Sequence, residues 1–239
     1  MTLLSALLAL LLAAVPIAGA APEDDLNQAA AADLPVQARQ EAFNRLVALG
    51  NTDLGLVSRV ANTEAEDTRR RWVAIRVIGH VGGDAAESTL TTLLADPQPA
   101  IRAAAVGALG ETGKRAHTAR VVALLEDPAV TVRAEAATAL GKIGDPAAVP
   151  ALSKAIDARA SYHRDASLWV RRHYVMALGA IGHKDAVPAL LRALDDADPV
   201  VSEAAVPAFE RIGGFTMGEG RTPEQQREAW RRWGQAQVQ

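Results

Sequence analysis

Residues 127–144 read DPAVTVRAEAATALGKIG, and this stretch decides the fold. Its large apolar side chains and one alanine recur at intervals of four, four and three residues, which places them on one face of a helix: Val132, Ala136, Leu140 and Ile143. The Asp-Pro pair in front of the stripe favours a turn, and the closing glycine suits a left-handed helix C-cap. The stretch therefore predicts one amphipathic helix with a turn at each end.

The same pattern recurs along most of the chain. The closing glycines fall at positions 82, 113, 144, 182 and 213, with spacings of 31, 31, 38 and 31 residues. A period near 31 is typical of one helix–turn–helix unit, and the single longer spacing indicates a seven-residue insertion within residues 157–164. A second apolar triplet recurs in each unit and predicts the other helix: Leu90, Leu93 and Leu94; Val121, Leu124 and Leu125; Leu152, Ala155 and Ile156; Leu190, Ala193 and Leu194.

The repeated core D-P-x-V-R-x-x-A-x-x-A-L-G-x-I-G resembles the HEAT repeats, and within them the short PBS-lyase-type HEAT-like repeats. The resemblance covers residues 35–213, with residues 36–62 as a degenerate leading unit. It implies an all-α fold, a right-handed α-solenoid of about six HEAT-like helix pairs. In such an array each pair buries its apolar face against its neighbours.

The resemblance also implies a ladder of ion pairs between neighbouring units, built from an Asp and an Arg six residues apart. The structural ladder residues are Asp96, Arg102, Asp127, Arg133, Asp165 and Arg171. We expect the ladder to fade at both ends of the array. Ala65 replaces the Asp of the first copy, and Ser202 replaces the Arg of the last.

The N-terminal residues 1–20 predict a signal peptide. Residues 3–21 carry no charge and are rich in leucine, and Ala18-Gly19-Ala20 matches an A-x-A cleavage site. No Lys or Arg precedes the apolar run, so an uncleaved membrane anchor formed by residues 3–21 is the alternative. The favoured localisation is therefore export, either periplasmic or secreted. Residues 21–34 are interpreted as a linker or a loose first helix.

The C-terminus predicts a separate capping element over residues 222–239. Thr222 suits a helix N-cap, and Pro223 suits the first helical position. We expect Trp230 and Trp233 to cover the exposed end of the last unit, after a glycine-rich linker at residues 214–221. Pro207, inside the last predicted helix of the array, is expected to kink or split it.

Composition and motifs exclude most catalytic chemistry. The absence of cysteine excludes disulfide scaffolds, thiolate metal sites and cysteine nucleophiles. No H-E-x-x-H, P-loop or nucleophile elbow is present. Deoxyhypusine hydroxylase, a di-iron enzyme built on HEAT-like repeats, uses His-Glu dipeptides, and none of the five histidines here precedes a glutamate. We therefore expect no catalytic residue, cofactor or metal. We interpret His80, His117 and His183 as surface residues.

Two aromatic and basic segments occupy the same place in their units. They are residues 69–72, of sequence RRRW, and residues 169–174, of sequence WVRRHY. HEAT-like DNA glycosylases line a concave groove with such residues, and in this fold the second helix of each unit faces the concave side. A net charge of −3 and the export signal nevertheless argue against nucleic acid.

The insertion adjoins the second segment, and Tyr, Trp and Arg are frequent binding hot spots. The candidate partner-binding residues are Arg69, Arg70, Trp72, Tyr162, His163, Arg164, Trp169, Arg172, His173 and Tyr174.

These observations favour an exported, non-enzymatic scaffold or adaptor that binds a protein or peptide partner on its concave face. The arginines would suit an acidic partner. Two alternatives stay open. The chain could be an accessory or lyase-like factor for attaching or detaching bilin chromophores, as the PBS-lyase resemblance implies, or a purely structural module of the cell envelope.

Overall fold

A computed structural model describes residues 21–164 and 166–238. The predicted signal peptide and the ladder residue Asp165 lie outside the described residues. Within the described ranges the chain is almost entirely α-helical. It divides into two compact units, Met1–Val77 and Ile78–Gln239.

The described residues form thirteen α-helices and one two-stranded hairpin. The first four helices are α1 (Pro22–Ala30), α2 (Val36–Ala48), α3 (Leu54–Asn62) and α4 (Thr68–Val81). Helix α4 crosses the boundary between the two units. The second unit continues with α5 (Asp84–Leu93), α6 (Pro99–Glu111), α7 (Thr118–Ala123), α8 (Val130–Ile143), α9 (Val149–Asp157), β1 (Tyr162–His163), β2 (Ala166–Ser167), α10 (Val170–Ile181), α11 (Val187–Leu194), α12 (Pro199–Gly213) and α13 (Pro223–Val238).

The helices alternate in the order that the repeat predicts. Helices α5, α7, α9 and α11, with α3, are the first helices of their pairs and are called A helices below. Helices α6, α8, α10 and α12, with α4, are the second ones and are called B helices. In α8 all four residues of the predicted apolar stripe are buried, which confirms the register.

In the first unit, residues 22–30 form helix α1 rather than an irregular linker. Leu26 is fully buried, and α1 lies against α2. An ion pair joins the two helices, with Arg45 Nη2 2.7 Å from Asp25 Oδ1. Of the two interpretations of residues 21–34, a first helix is correct for this segment and a linker is wrong, because Leu26, Ala29 and Ala30 make an apolar face that α2 covers.

Left-handed glycines end the repeat units, as the spacing predicts. Gly113, Gly144 and Gly182 have φ values of 63°, 66° and 70°. The last unit departs by one residue: α12 includes Gly213, and Gly214 takes the left-handed conformation at φ 74°. Helix α12 also runs unbroken through Pro207, so the expectation of a split helix is wrong. Pro207 is exposed, and water can solvate the carbonyl that loses its helical partner.

Glycine–alanine contacts set how closely neighbouring B helices approach. A Cβ atom added to Gly110 would lie 2.6 Å from Ala139 Cβ, and one added to Gly179 would lie 2.6 Å from Ala208 Cα. Only glycine fits at such distances. The Leu-Gly pair of each unit therefore sits against an alanine of the next B helix, which explains why both residue types recur with the repeat.

The C-terminal helix α13 caps the second unit. Thr222 Oγ1 accepts a hydrogen bond from the backbone N–H of Gln225, and Gln225 Oε1 accepts one from the N–H of Thr222, which makes a capping box. Trp230 is fully buried and stacks between Phe209 and Phe215, with ring centroids 5.7 and 5.2 Å away. The tryptophan thus seals the end of the last helix pair.

The insertion forms an ordered turn between α9 and α10. A 3-10 turn (Arg159–Ser161) leads into β1, which pairs antiparallel with β2. Arg164, at the tip, has a positive φ of 49°. The hairpin extends to Ser167, beyond the predicted end of the insertion at residue 164.

Candidate functional site

Two junctions between B helices of the second unit carry the predicted arginine–aspartate ladder. Arg102 of α6 binds Asp127 through two hydrogen bonds of 2.8 Å, from Nε to Oδ2 and from Nη2 to Oδ1. Arg171 of α10 also donates two hydrogen bonds to Asp196, from Nη1 to Oδ1 at 3.1 Å and from Nη2 to Oδ2. Each arginine reaches the aspartate of the following unit, so these pairs tie neighbouring repeats together.

The junction between α8 and α10 is built differently. Arg133 is 6% exposed, and its Nη2 donates to the carbonyl of Ala160, inside the insertion, at 3.0 Å. Its Nη1 donates to the carbonyl of Asp127 at 2.7 Å. Among the described residues, Arg133 thus takes a backbone carbonyl of the following unit as its acceptor, whereas Arg102 and Arg171 each take an aspartate side chain.

The electrostatics of the ladder agree with its geometry. Burial disfavours the charged carboxylate of Asp127, but hydrogen bonds from Arg102 and from the backbone N–H of Ala129 outweigh burial and lower the pKa. Burial also disfavours the charged carboxylate of Asp196. The hydrogen bond from Arg171 outweighs burial, and the pKa of Asp196 is lowered. These arginines serve the fold and are not available to a partner.

An open groove of 430 Å³ lies on the B helices α8, α10 and α12. We call it the B-helix groove. Its floor is made of small residues that the close helix packing requires: Gly141, Ala177, Gly179, Ala204 and Ala208. Met176, 48% exposed, and Pro207 project beside that floor. The same small residues that bring the helices together thus leave room for a ligand side chain above them.

The polar residues of the B-helix groove are separated along the helices. His173 and Thr138 line one part of the groove. Lys142 of α8 and Arg211 of α12 line another part, and Ala180 holds the equivalent repeat position on α10. Burial lowers the pKa of His173, and the positive charge of Arg172 lowers it further, so the imidazole is neutral at neutral pH. Of the described residues that line the groove, none carries a carboxylate.

The candidate residues of the second unit fall into surface and core. Trp169 is 50% exposed and meets His173 edge-on, with ring centroids 5.2 Å apart. His163, Arg164 and Arg172 are also exposed, and Tyr162 is half-buried with its ring 4.6 Å below the Arg171 guanidinium.

Tyr174 is 1% exposed and lies in the core, so its assignment to a partner surface is wrong. The reason is helical geometry, because its position faces inward toward α8 and the insertion. His117, expected at the surface, is likewise buried, with Nε2 3.1 Å from Glu87 Oε2.

The remaining candidates belong to the first unit. Arg69 is exposed, and Arg70 pairs with Glu23 of α1 and with Glu66. Trp72, 40% exposed, lies under the Arg76 guanidinium at 4.9 Å. The predicted site is therefore divided between the two units, and only its second part adjoins the B-helix groove.

Sequence reasoning missed several residues that line this groove, among them Met176, Ala180, Pro207, Lys142 and Arg211. A signal was nevertheless present. Thr138, Met176 and Pro207 occupy one repeat position, and Lys142, Ala180 and Arg211 occupy another. Reading across the repeats at surface positions would have placed these side chains next to one another.

The stacked helix pairs, their glycine caps and the ladder agree with a comparison to family models. A model of HEAT repeats matches residues 55–128, 89–169 and 157–220. The chain belongs to the HEAT-repeat family. The fold is therefore an all-α HEAT-type solenoid with a C-terminal capping helix, as the sequence predicts. The narrower PBS-lyase type stays a prediction.

Solved structures similar to this chain have low sequence identity to it. YibA of Escherichia coli is 17% identical over 82% of this chain and 74% of its own, with a TM-score of 0.59. Kap95p, in a structure that describes its binding to RanGDP, is 16% identical over 81% of this chain and 28% of its own, with a TM-score of 0.54. A designed armadillo repeat protein in complex with the peptide (KR)4 is 21% identical over 80% of this chain and 98% of its own, with a TM-score of 0.49. Likeness at this level shows the fold alone.

No curated protein has significant sequence similarity to the chain. Across residues 21–164 and 166–238, no three His, Asp or Glu side chains gather in a way that could hold a metal ion. No helix in these ranges is long and apolar enough to cross a membrane.

Proposed function

We propose that this HEAT-repeat protein is an exported, non-enzymatic scaffold whose B-helix groove binds a segment of a partner protein. The observation that carries the proposal is the groove itself, a 430 Å³ opening with exposed Met176 and Pro207 above a floor of small residues. Binding sites for ligands are typically concave, largely apolar and edged by a few polar groups. Kap95p, which has the same fold, binds a protein, RanGDP.

The surroundings of the groove extend the surface offered to a partner. Trp169 stands half-exposed beside His173, and Arg172 is exposed on the same helix. Tryptophan and arginine are enriched among the residues that dominate binding energy. Arg164 at the tip of the insertion hairpin adds another exposed cation.

An acidic partner suits this surface. Lys142 and Arg211 line the groove without an accompanying carboxylate among the described lining residues, although the Lys142 amine also pairs with Glu111 outside it. Complementary charge mainly increases the association rate and selects against basic partners. The partner class we propose is therefore a protein or peptide segment with a net negative charge.

Photocrosslinking tests the binding surface directly. A photoreactive amino acid at Met176 should give discrete adducts in the native compartment, and the same amino acid at Lys154, exposed on A helix α9, should not. Ala180→Trp, which fills the groove from an exposed position, should abolish the Met176 adducts while the thermal midpoint stays near that of the wild type. Equal adducts at both positions, or adducts that survive the filled groove, would contradict the proposal.

Export rests on the sequence of residues 1–20 and has its own test. The full chain expressed in a Gram-negative host should appear in the periplasmic fraction with a mature N-terminus at Ala21, as measured by intact mass. Leu8→Arg, in the middle of the apolar run, should retain the uncleaved chain in the cytoplasm. A chain that stays in the membrane fraction with residues 1–20 attached would instead establish the anchor alternative.

A further inference from the structure

Three different chemistries follow one another along the groove face of α10. His173, Met176 and Ala180 all line the groove and are separated by three and four residues. Seven residues of α-helix rise about 10 Å, and the four residues from Met176 to Ala180 rise about 6 Å. The groove therefore presents a hydrogen-bonding group, an apolar surface and a cationic end in a fixed order along this distance.

The hydrogen-bonding group is an acceptor. The Thr138 hydroxyl donates to the carbonyl of Ala134 at 3.0 Å, so its oxygen can only accept from His173 Nδ1, which lies 3.4 Å away. We therefore assign the proton of the neutral ring to Nδ1 and the lone pair to Nε2. No described residue bonds Nε2, so this atom can accept an N–H or O–H from a ligand.

The cationic end surrounds a short side chain. Lys142, Ala180 and Arg211 hold equivalent positions on α8, α10 and α12, and Ala180 is exposed between the two long cationic side chains. Arg211 makes no ion pair with any other described residue, and a carboxylate above Ala180 would lie in the field of both cations.

The spacing of these groups suits an extended peptide. Side chains two residues apart on a strand lie on one side of it, and they are about 6.6–6.8 Å apart. This matches the rise from Met176 to Ala180. A helical ligand could place its residues i and i+4 at a similar spacing, but its backbone N–H groups are already bonded internally. An extended segment offers a free backbone N–H along its length, whereas a helix offers only those of its first turn.

We infer that the B-helix groove recognises an extended peptide with an apolar residue and an Asp or Glu two positions apart. The apolar side chain rests on Met176 and Pro207, the carboxylate lies between Lys142 and Arg211, and a backbone N–H near the apolar residue donates to His173 Nε2. This inference rests on the proposed function, because it specifies what the same groove binds.

A displayed library of random nine-residue peptides, selected on the purified full chain, tests the inference. We expect enriched sequences with an apolar and an acidic residue two positions apart. Binding of one enriched peptide is then measured by fluorescence anisotropy. Arg211→Glu should weaken it about tenfold or more, since a rim charge is reversed, and changing the peptide's acid to lysine should restore binding to that variant.

Two further measurements test the charge contact and the hydrogen bond to His173 separately. Arg120→Glu makes the same charge change on A helix α7, where Arg120 is exposed, and should leave the affinity unchanged. N-methylation of the peptide N–H should weaken binding to the wild type about fivefold, because it removes one hydrogen bond. It should have no further effect on the His173→Ala variant.

The outcomes distinguish this inference from the proposed function. One outcome would overturn the inference and leave the groove as the binding site. In it, Ala180→Trp excludes the enriched peptides, but the peptides lack the acid or carry it three or four residues from the apolar residue. Absence of enrichment, or enriched peptides that the filled groove still binds, would overturn both.

Discussion

The junction between α8 and α10 differs from the α6–α8 and α10–α12 junctions on either side of it. At the regular junctions a two-pronged arginine–aspartate pair joins the units, and a Cβ on Gly110 or Gly179 would lie 2.6 Å from its neighbour. At the α8–α10 junction Arg133 binds a carbonyl of the insertion instead, and a Cβ on Gly141 would lie 3.2 Å from Ala180. An arginine is present at all three junctions. Its acceptor and the distance between the helices differ at the junction that carries the insertion.

The largest expected effect tests whether the core is continuous across both kinds of junction. Leu140→Ala in α8 removes a fully buried side chain and should lower the free energy of unfolding by about 2–5 kcal/mol. Leu109→Ala in α6, also fully buried, should cost a similar amount. Urea denaturation measures both. A much smaller loss for Leu140→Ala would mean that the α8–α10 junction is poorly packed, and no loss at all would refute the repeat register.

Removing the ladder arginines should separate the two kinds of junction. Arg171→Met leaves Asp196 without its buried partner and should cost about 3 kcal/mol, since breaking a buried pair leaves an uncompensated charge. Arg133→Met removes the donor to the carbonyls of Asp127 and Ala160 and should cost about 1–2 kcal/mol. Chemical denaturation of the two variants makes the comparison. Equal losses would show that the carbonyl acceptor is equivalent to the carboxylate.

Glycine-to-alanine changes should destabilise one kind of junction much more than the other. Gly179→Ala places a methyl group 2.6 Å from the backbone of Ala208 and should destabilise by about 1–3 kcal/mol. Gly141→Ala meets its nearest atom at 3.2 Å and gains helix propensity, so its change should lie within about 1 kcal/mol of zero. Thermal midpoints of the two variants decide the matter, and the reverse order would contradict the difference in closeness.

The smallest expected effect is on the stability of the fold at acidic pH. Asp127 and Asp196 both have a lowered pKa in the folded state, so their stabilisation is complete above the unfolded value of about 3.9 and is lost as the pH falls through the folded values. The double variant Asp127→Asn, Asp196→Asn should therefore lose less stability than the wild type between about pH 5 and pH 2. Glu219→Gln, in an exposed loop, is the matched control. Parallel pH profiles for the wild type and the double variant would contradict the role of the ladder.

The architecture was predictable from the sequence to a large extent. The stripe from Val132 to Ile143 is buried as its spacing predicts, Gly144 and Gly182 cap their helices, and Trp230 covers the last pair. These features are local or repeat with a fixed period, so a single sequence displays them.

The expectations that were wrong depend on contacts distant in sequence. Helix α1 is ordered because α2 covers Leu26. His117 is buried because Glu87, thirty residues earlier, lies beside it. Neither contact could be inferred from the residues around the affected position.

The candidate site was only partly visible in the sequence. Trp169 and Arg172 were identified by residue type and are exposed, whereas Tyr174, of an equally suitable type, points into the core. In the sequence Met176 looks like an ordinary helix residue, and Pro207 stands out only as a residue that disfavours a helix. They become part of a groove only because neighbouring B helices lie close together over glycine and alanine.

The repeat, its helices, its glycine caps and the arginines of the ladder can be predicted from local sequence, because hydrophobic periodicity and backbone conformation depend on nearby residues. The tertiary structure alone decided which acceptor each ladder arginine binds, which aromatic residues stay at the surface, and which side chains of three different helices line one groove. Those outcomes depend on how closely the helices pack and on where the insertion places a carbonyl, and both are set by contacts between residues far apart in the chain.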